Sequence, residues 1–257
     1  MTVIQFYDEL AANYHLIFKD WDTAISWNGK TLDAIIRSHL SNTGTLSLYD
    51  CSCGIGTQAL GLAAHDYQVY ATDISPKAVE RAQREAEARG VTLCTGVAEF
   101  RNLRQQSTDS YDVVISCDNS LPHLLTDDDL QLATQNMFDV LNPGGLLLIS
   151  IRDYDKVRQE LPTTDPLRVM GEGKDRYISF QVWDWDETGI IYTVTQFMLT
   201  QSTENQWQAP KTYVTQYRAL QRAELNELLL NAGFVDIRWQ MPEESGYYQP
   251  IVTASRP

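Results

Sequence analysis

Basic residues and long apolar runs are both scarce in this sequence of 257 residues, and each scarcity excludes a class of function. The chain has 20 Lys and Arg against 34 Asp and Glu, a formal net charge of -14. Such a surface repels phosphate backbones and anionic lipids, so we expect neither nucleic acid nor a membrane as a partner. No apolar run reaches the roughly 18–20 residues of a membrane span. Residues 1–8 also lack the basic and apolar parts of a signal peptide, so we expect a cytoplasmic protein.

Metal-ligand patterns are missing as well. The four cysteines are Cys51, Cys53, Cys94 and Cys117. No second Cys or His pair follows the first two at the spacing of a zinc site, so we expect no metal. All four lie in or beside predicted strands, which predicts small buried thiols.

Strands and helices alternate along the first two thirds of the chain. Residues 6–40 read as two helices, and later helices are predicted at 76–89 and 126–141. Apolar segments predict strands at 46–51, 68–73, 92–96, 111–117 and 146–151, the last after a turn at 142–145. This alternation is typical of a parallel sheet covered by helices.

The pattern changes after Arg152. Three β-rich segments, at 177–183, 190–197 and 211–218, predict a small antiparallel sheet. A helix at 222–231 then precedes two last strands, at 235–239 and 250–254. We interpret residues 1–257 as a single domain, with a helical cap at 1–40 and an antiparallel insertion at about 166–220.

A glycine-rich loop directly follows the first predicted strand. It reads Asp50-Cys51-Ser52-Cys53-Gly54-Ile55-Gly56-Thr57. Glycines allow the backbone to turn sharply and to approach a ligand closely, and an open α/β sheet binds its ligand at the carboxyl ends of its strands. Asp73 ends the second strand, where an acid can accept hydrogen bonds from both hydroxyls of a ribose. The pattern predicts a nucleoside-containing cofactor.

The glycines alone fit two cofactors, because residues 54–59 also satisfy the dinucleotide fingerprint. Three features favour S-adenosyl-L-methionine over a nicotinamide. Asp50 suits the ammonium of a methionine moiety better than a diphosphate. A helical segment precedes the first strand and could close over the cofactor. Glu99 can accept from an adenine amine, with Phe100 beside the ring.

These motifs resemble those of the class I S-adenosylmethionine-dependent methyltransferases. The sequence is similar to the glycine and glycine/sarcosine N-methyltransferases from Tyr7-Asp8-Glu9-Leu10-Ala11 to Ser245-Gly246-Tyr247-Tyr248-Gln249-Pro250. The resemblance implies an α/β Rossmann-like fold: a mostly parallel seven-stranded sheet whose last strand is antiparallel, with the added antiparallel sheet as a lid. The cofactor site is then expected to comprise Tyr14, Asp50, Gly54, Gly56, Asp73, Ile74, Glu99, Phe100 and Cys117.

Two further segments follow the fourth and fifth strands and face the predicted point of methyl transfer. They read Cys117-Asp118-Asn119-Ser120-Leu121-Pro122-His123 and Ser150-Ile151-Arg152-Asp153-Tyr154-Asp155. An arginine there offers a planar fork that matches a carboxylate. The resemblance implies that Arg152 holds the carboxylate of an amino acid and that Asn119 lies near cofactor and substrate.

Alternatives stay open for two of these residues. Arg152 could instead form an ion pair with Asp153, Asp155 or another acid. His123 is a candidate general base, but a single His after a proline is often structural.

The sequence therefore predicts a methyltransferase that acts on a small molecule carrying a carboxylate, by N-methylation of glycine, sarcosine or a related amino acid. The alternatives are a secondary-metabolite O- or N-methyltransferase with a larger acceptor, a nicotinamide-dependent oxidoreductase, and a non-catalytic S-adenosylmethionine-binding protein. Nothing in the sequence marks an oligomeric interface.

Overall fold

The computed structural model describes residues 1–40, 44–203 and 206–257. Its strands, in chain order, are β1 Leu46–Asp50, β2 Tyr67–Asp73, β3 Cys94–Val97, β4 Tyr111–Ser116, β5 Leu141–Ser150, β6 Arg168–Met170, β7 Tyr177–Trp185, β8 Ile191–Thr203, β9 Gln206–Trp207, β10 Lys211–Arg218, β11 Val235–Gln240 and β12 Ile251–Ser255. Its helices are α1 Val3–Leu10, α2 Trp21–His39, α3 Thr57–Ala63, α4 Pro76–Arg89, α5 Leu103–Gln106, α6 Asp127–Asp139, α7 Tyr154–Glu160, α8 Arg222–Ala232 and α9 Pro242–Ser245.

The main sheet has seven strands in the order β11-β12-β5-β4-β1-β2-β3. The five strands from β3 to β5 pair in parallel, and β12 lies antiparallel between β5 and β11. A second, antiparallel sheet has the order β10-β8-β7-β6, with β9 paired to β8. The predicted fold class is therefore confirmed.

Both faces of the main sheet are buried, which explains why its central strands are almost wholly apolar. Tyr49 and Val114 point into a cluster with the apolar faces of α6 and α8. Leu48 and Val113, their neighbours along the strands, point into a cluster with α2, α3 and α4. A parallel sheet covered on both faces needs this continuous run of apolar residues.

Helix ends follow the predicted signals where a cap is present. Ser75 caps α4 through its side chain, Pro76 occupies the first turn, and Gly90 ends the helix at φ 65°. Thr126 caps α6 in the same manner. A side-chain acceptor at the N-cap satisfies a backbone N–H that the helix leaves unpaired.

Three parts of the prediction were wrong. The first helical segment ends at Leu10, and residues Tyr14–Ile17 form a separate 3₁₀ turn. The expected turn at 142–145 lies within β5 as a bulge, since Tyr111 pairs with Leu141 but Val113 pairs with Leu146. Neither α7 nor β6 was predicted, because both are too short to show a clear hydrophobic period.

The prediction of four buried thiols was also wrong at one position. Cys51, Cys53 and Cys117 are buried, but Cys94 is exposed. The physical reason is that β3 is the edge strand of the main sheet, so it is covered by fewer neighbours. Within the described ranges, no helix combines the length and the apolar composition that crossing a membrane requires.

Helices α2 and α3 pack without side chains between them at Gly29 and Gly61. A Cβ built on Gly29 would lie 2.5 Å from the carbonyl oxygen of Gly61, and one on Gly61 would lie 2.4 Å from that of Ile25. Both distances are shorter than any real Cβ contact, so only glycine fits. This close approach places α2 against α3, the helix that follows the glycine-rich loop.

We predict that Gly61→Ala lowers the free energy of unfolding by about 1–3 kcal/mol, because the backbones of α2 and α3 must separate. The measurement is urea unfolding followed by circular dichroism. In the interior of a helix without such a backbone contact, replacing Gly by Ala stabilises the folded protein by about 0.5–1 kcal/mol. A stabilised variant would therefore contradict the packing described here.

Candidate active site

Two cavities lie at the carboxyl ends of the parallel strands. The first has a volume of about 350 Å³ and the second about 580 Å³. Tyr7 and Tyr14 line both, so these two side chains mark the junction between the cavities. Sites for small molecules have volumes in this range, and in open α/β sheets they occur at this edge.

The first cavity is built by the ends of β1 and β2. Gly54, Asp73 and Ile74 line it. The carboxylate of Asp73 accepts from the backbone N–H of Gly54 at 2.8 Å and from that of Ser75 at 2.9 Å. Each oxygen keeps a free lone pair, so the side chain that holds the loop can also accept from a ligand hydroxyl.

The two glycines of the loop differ in their surroundings. Gly54 has φ 53°, and a Cβ there would lie 3.3 Å from Cε1 of Tyr14. Both residues line the first cavity. Gly56 has φ 98° and caps α3. A Cβ on Gly56 would meet Leu60 and Ala82, so this glycine is required by helix packing and does not line either cavity.

Asp50 lies directly behind the loop and is almost completely buried. Its Oδ1 accepts from the N–H of Ser52 at 3.2 Å, but its Oδ2 has no hydrogen-bond partner in the described part of the chain. Burial raises the pKa of this carboxyl to about 8. An unpartnered buried oxygen is costly, and a ligand ammonium nearby would offset that cost. Asp50 therefore fits a cofactor that carries a positive charge at this point.

Glu99 and Phe100 line the far side of the first cavity. The Glu99 carboxylate forms an ion pair with Arg101, and the backbone N–H of Glu99 donates to Oδ1 of Asn102 at 3.2 Å. Arg101 also pairs with Asp129 at 2.8 Å. Glu99 is thus held in place, but part of its accepting capacity is already used. Cys117 is buried beside the site without lining either cavity, whereas Cys51 lines the first.

Asn119 lines the second cavity and has a left-handed backbone conformation. Asp118 and Asn119 have φ 59° and 66°, a region that Asp and Asn tolerate better than other residues with side chains. The Asn119 amide oxygen accepts from the N–H of Arg152 at 3.1 Å, and its amide nitrogen donates to the Tyr154 hydroxyl at 2.9 Å. Asn119 therefore fixes the start of the segment that carries Arg152.

The Arg152 guanidinium is held by neutral side chains of the second sheet. It donates to the Tyr192 hydroxyl at 2.6 Å and to Oε1 of Gln181 at 3.0 Å. Its central carbon lies 4.7 Å from the ring centroid of Trp183 and 5.2 Å from that of Tyr217. These contacts orient the charge without neutralising it.

No carboxylate of the described residues lies within ion-pair distance of Arg152, so the alternative of an internal ion pair is wrong. Asp155 pairs with Arg222 instead, and Asp153 lies 4.0 Å from the same arginine. The physical reason is that α7 directs both acids toward α8 and away from the second cavity. Arg152 remains available for an external anion.

His123 lines the first cavity and bonds to Tyr7. Its Nε2 lies 2.7 Å from the Tyr7 hydroxyl, and its Nδ1 lies 3.1 Å from the carbonyl oxygen of Gln216. A carbonyl only accepts, so Nδ1 carries the proton and Nε2 accepts from Tyr7. Burial lowers the pKa of His123 to about 3. The imidazole is therefore neutral near pH 7, and its basic nitrogen is already occupied.

Sequence reasoning missed three residues of the second cavity and its wall. Gln181 and Tyr192 orient Arg152 from the added sheet, where no motif marks them. Asp118 lines the cavity beside Asn119 and accepts from Gln58 at 2.8 Å. Asp118 lies in the segment expected to face the point of methyl transfer, but its left-handed backbone and its hydrogen bonds are visible only in the fold.

The comparisons with known proteins agree with this geometry. Residues 48–145 match a family model described as a methyltransferase domain. A glycine/sarcosine N-methyltransferase of Parasynechococcus marenigrum is 32% identical over 140 residues, which cover 53% of this chain and 49% of that protein. The chain thus spans about half the length of the curated relatives that it matches first.

Two solved structures share the whole architecture. An S-adenosylmethionine-dependent methyltransferase from Clostridium acetobutylicum has a TM-score of 0.72 at 16% identity, covering 97% of both chains. The SAM-bound amino pentose methyltransferase CalS10 from Micromonospora echinaspora has a TM-score of 0.71 at 16% identity, covering 90% of this chain and 92% of its own. Residues 48–145 match a methyltransferase domain, and the chain has the fold of the class I S-adenosylmethionine-dependent methyltransferases, with sequence similarity to the glycine/sarcosine N-methyltransferases over about half its length.

Proposed function

We propose that this protein is an S-adenosylmethionine-dependent methyltransferase that N-methylates glycine, sarcosine or a related small amino acid. The observation that carries the proposal is the guanidinium of Arg152, which lines the second cavity without a carboxylate partner among the described residues. The neighbouring first cavity provides a place for the cofactor. The glycine/sarcosine N-methyltransferases among the relatives support the same substrate class.

The residues of the first cavity match the parts of this cofactor. Asp73 would accept from the ribose hydroxyls, and Glu99 and Phe100 would contact the adenine. Asp50 does not line the cavity, but its unpartnered oxygen would lie near the ammonium of the methionine moiety. When bound, S-adenosyl-L-methionine supplies an electrophilic methyl group on a sulfonium. The acceptor ammonium first loses one proton to solvent, and the free amine then takes the methyl group as the bond between that methyl and sulfur breaks. The adjoining residues need only align the amine and exclude water during the transfer.

Arg152 would bind the carboxylate of the acceptor. A guanidinium has five N–H donors, and the contacts to Tyr192 and Gln181 leave donors for a bidentate pair. Trp183 and Tyr217 fix the plane of the guanidinium. A carboxylate bound there would keep the amine of a short amino acid within the second cavity.

The junction between the cavities is electrically neutral. Burial raises the pKa of Tyr7 well above its ordinary value, and it lowers that of His123 to about 3. Neither group changes its charge near pH 7. Together with Tyr14, they would exclude water from the path of the methyl group without introducing a competing nucleophile.

A larger acceptor is a second candidate, and one observation favours it. The second cavity measures about 580 Å³, more than a glycine molecule fills. The amino pentose methyltransferase with a similar fold acts on a larger molecule. A secondary-metabolite N- or O-methyltransferase therefore stays in the set to be tested.

The experiment is a turnover assay with S-adenosylmethionine against amino acids, amino sugars, other amines, carboxylates and phenols. It follows release of S-adenosylhomocysteine and the mass of the product. We expect glycine or sarcosine to be methylated on nitrogen. Turnover of sugars or phenols alone would overturn the amino-acid proposal and favour the second candidate. Cofactor binding without any turnover would indicate a non-catalytic binding protein, and stabilisation by a nicotinamide would indicate an oxidoreductase.

We predict that Asp73→Asn weakens binding of S-adenosylhomocysteine by about tenfold or more, because a charged acceptor for hydroxyl groups is lost. Isothermal titration calorimetry measures the dissociation constant. The control is Asp109→Asn, which removes the same charge from an exposed position. Equal affinity of both variants would contradict the role given to Asp73.

We predict that Arg152→Met raises KM for the amino acid by about tenfold to a hundredfold, because a charged hydrogen-bonding partner of the carboxylate is removed. The affinity for S-adenosylhomocysteine should stay unchanged, since Arg152 does not line the first cavity. Arg84→Met on the exposed side of α4 is the matched control. An unchanged KM in Arg152→Met would contradict carboxylate binding at this residue.

A further inference from the structure

Five charged side chains line the second cavity, and three of them are accounted for. Asp165 and Arg168 form an ion pair at 3.9 Å, and Lys19 is exposed to solvent. The remaining two are Arg152 and Asp118. Arg152 contacts neutral side chains only, as described above, so the surroundings of Asp118 decide what the cavity can bind.

Asp118 is held in place by neutral donors. Gln58 donates to its Oδ2 at 2.8 Å, and the Tyr247 hydroxyl donates to its Oδ1 at 2.8 Å. The Tyr248 hydroxyl donates to the same Oδ1. No Lys, Arg or His of the described ranges lies within ion-pair distance of this carboxylate. It is therefore fixed in orientation, has no cationic partner among the described residues and keeps a free lone pair on Oδ2.

The backbone at Asp118 has an unusual, left-handed conformation. Asp118 and Asn119 are consecutive residues with positive φ, 59° and 66°. The Asp118 N–H donates to Oγ of Ser150 at 2.9 Å, and the Asn119 N–H donates to the carbonyl of Ser150 at 3.1 Å. Backbone in this region is retained where the surrounding structure enforces it, often at ligand sites.

Asn119 links the chain segments that carry Arg152 and Asp118. The backbone N–H of Arg152 donates to Oδ1 of Asn119 at 3.1 Å. Asn119 directly follows Asp118 in the chain, so this bond fixes the two segments relative to each other. Apart from the solvent-exposed Lys19, the cavity presents one guanidinium and one carboxylate without an ion-pair partner among the described residues, which suits a ligand with one charge of each sign.

We infer that Asp118 is a specificity-determining residue that binds the ammonium of a zwitterionic acceptor whose carboxylate lies on Arg152. This inference rests on the proposed function, in which Arg152 binds the carboxylate of the acceptor, and adds a binding residue for its ammonium. It commits the acceptor to free amino acids and excludes simple carboxylates, amines and neutral sugars as good ligands. Asp50, behind the glycine-rich loop, is left for the cofactor.

Burial agrees with this assignment. It raises the pKa of Asp118, although the bonds from Gln58 and Tyr247 act in the opposite direction. The carboxylate is thus less stable here than in water, and a bound cation would offset the difference.

The experiment compares glycine with propionate, which has the same heavy-atom skeleton and a methyl group in place of the ammonium. Binding of each to the complex with S-adenosylhomocysteine is measured by NMR titration, so the readout needs no turnover. We expect the wild type to bind glycine at least about tenfold more tightly than propionate, as expected for a charged hydrogen bond. In Asp118→Asn that ratio should fall to near one, while propionate binding and the affinity for S-adenosylhomocysteine change little.

Asn suits position 118 because it tolerates a positive φ, and Asp118→Gly is a second variant without a carboxylate should the first fail to fold. Asp109→Asn is the matched control for the loss of one charge. Melting temperatures of all variants report folding.

The remaining outcomes separate the two proposals. A glycine-to-propionate ratio near one in the wild type, or an undiminished ratio in both Asp118 variants, overturns the inference and leaves the proposed function intact. Weaker binding of S-adenosylhomocysteine with an unchanged ratio assigns Asp118 to the cofactor and also overturns the inference. Binding of neither glycine nor propionate by a wild type that binds S-adenosylhomocysteine overturns the amino-acid proposal and the inference together.

Discussion

Hydrogen bonds around Asn119 join the main sheet to the added sheet, and the site depends on them. Asn119 accepts from the backbone of Arg152 and donates to Tyr154. The Tyr154 hydroxyl lies 2.9 Å from that of Tyr192, which in turn accepts from the Arg152 guanidinium. This closed set of bonds runs from the end of β4 through α7 to β8 and back. A network in which every member is satisfied is rigid, so it holds a buried arginine in place without a carboxylate.

The distribution of charge separates the two cavities by chemistry. Asp50 and Asp73 lie at the ends of β1 and β2, and burial raises the pKa of both. A cofactor with an ammonium and a sulfonium would relieve this cost, whereas the diphosphate of a nicotinamide cofactor would increase it. In the second cavity, Arg152 follows β5 and Asp118 follows β4. The same sheet edge thus carries buried acids beside the first cavity and a charge of each sign in the second, as the proposed cofactor and acceptor require.

The sequence was sufficient for the parts of the fold that depend on local signals. The parallel pairing of β1 to β5 follows from the alternation of strands and helices, and the ends of α4 and α6 follow from their caps. The predicted positions of Gly54, Asp73, Ile74, Glu99 and Phe100 on one cavity reflect a general property of parallel sheets, whose carboxyl ends meet at one edge. The roles of these residues remain predictions.

The acceptor side was not accessible in this way because it depends on pairing between distant strands. Gln181 and Tyr192 reach Arg152 through the register of β7 and β8, in which Trp185 pairs with Tyr192 and Gln181 with Gln196. Antiparallel register is fixed by turn geometry and by burial of one face, and neither shows in a short motif. The absence of an ion pair between Arg152 and Asp153 or Asp155 also depends on tertiary structure, because the position of α7 brings both acids to Arg222.

A crystal structure of the protein with S-adenosylhomocysteine and glycine tests the central claim most directly. We expect the adenosine in the first cavity, between Asp73 and Phe100, and the thioether sulfur at the junction beside Tyr7 and Tyr14. The glycine carboxylate should lie on the Arg152 guanidinium. A nucleoside bound in the second cavity, or a glycine whose carboxylate lies away from Arg152, would contradict this claim.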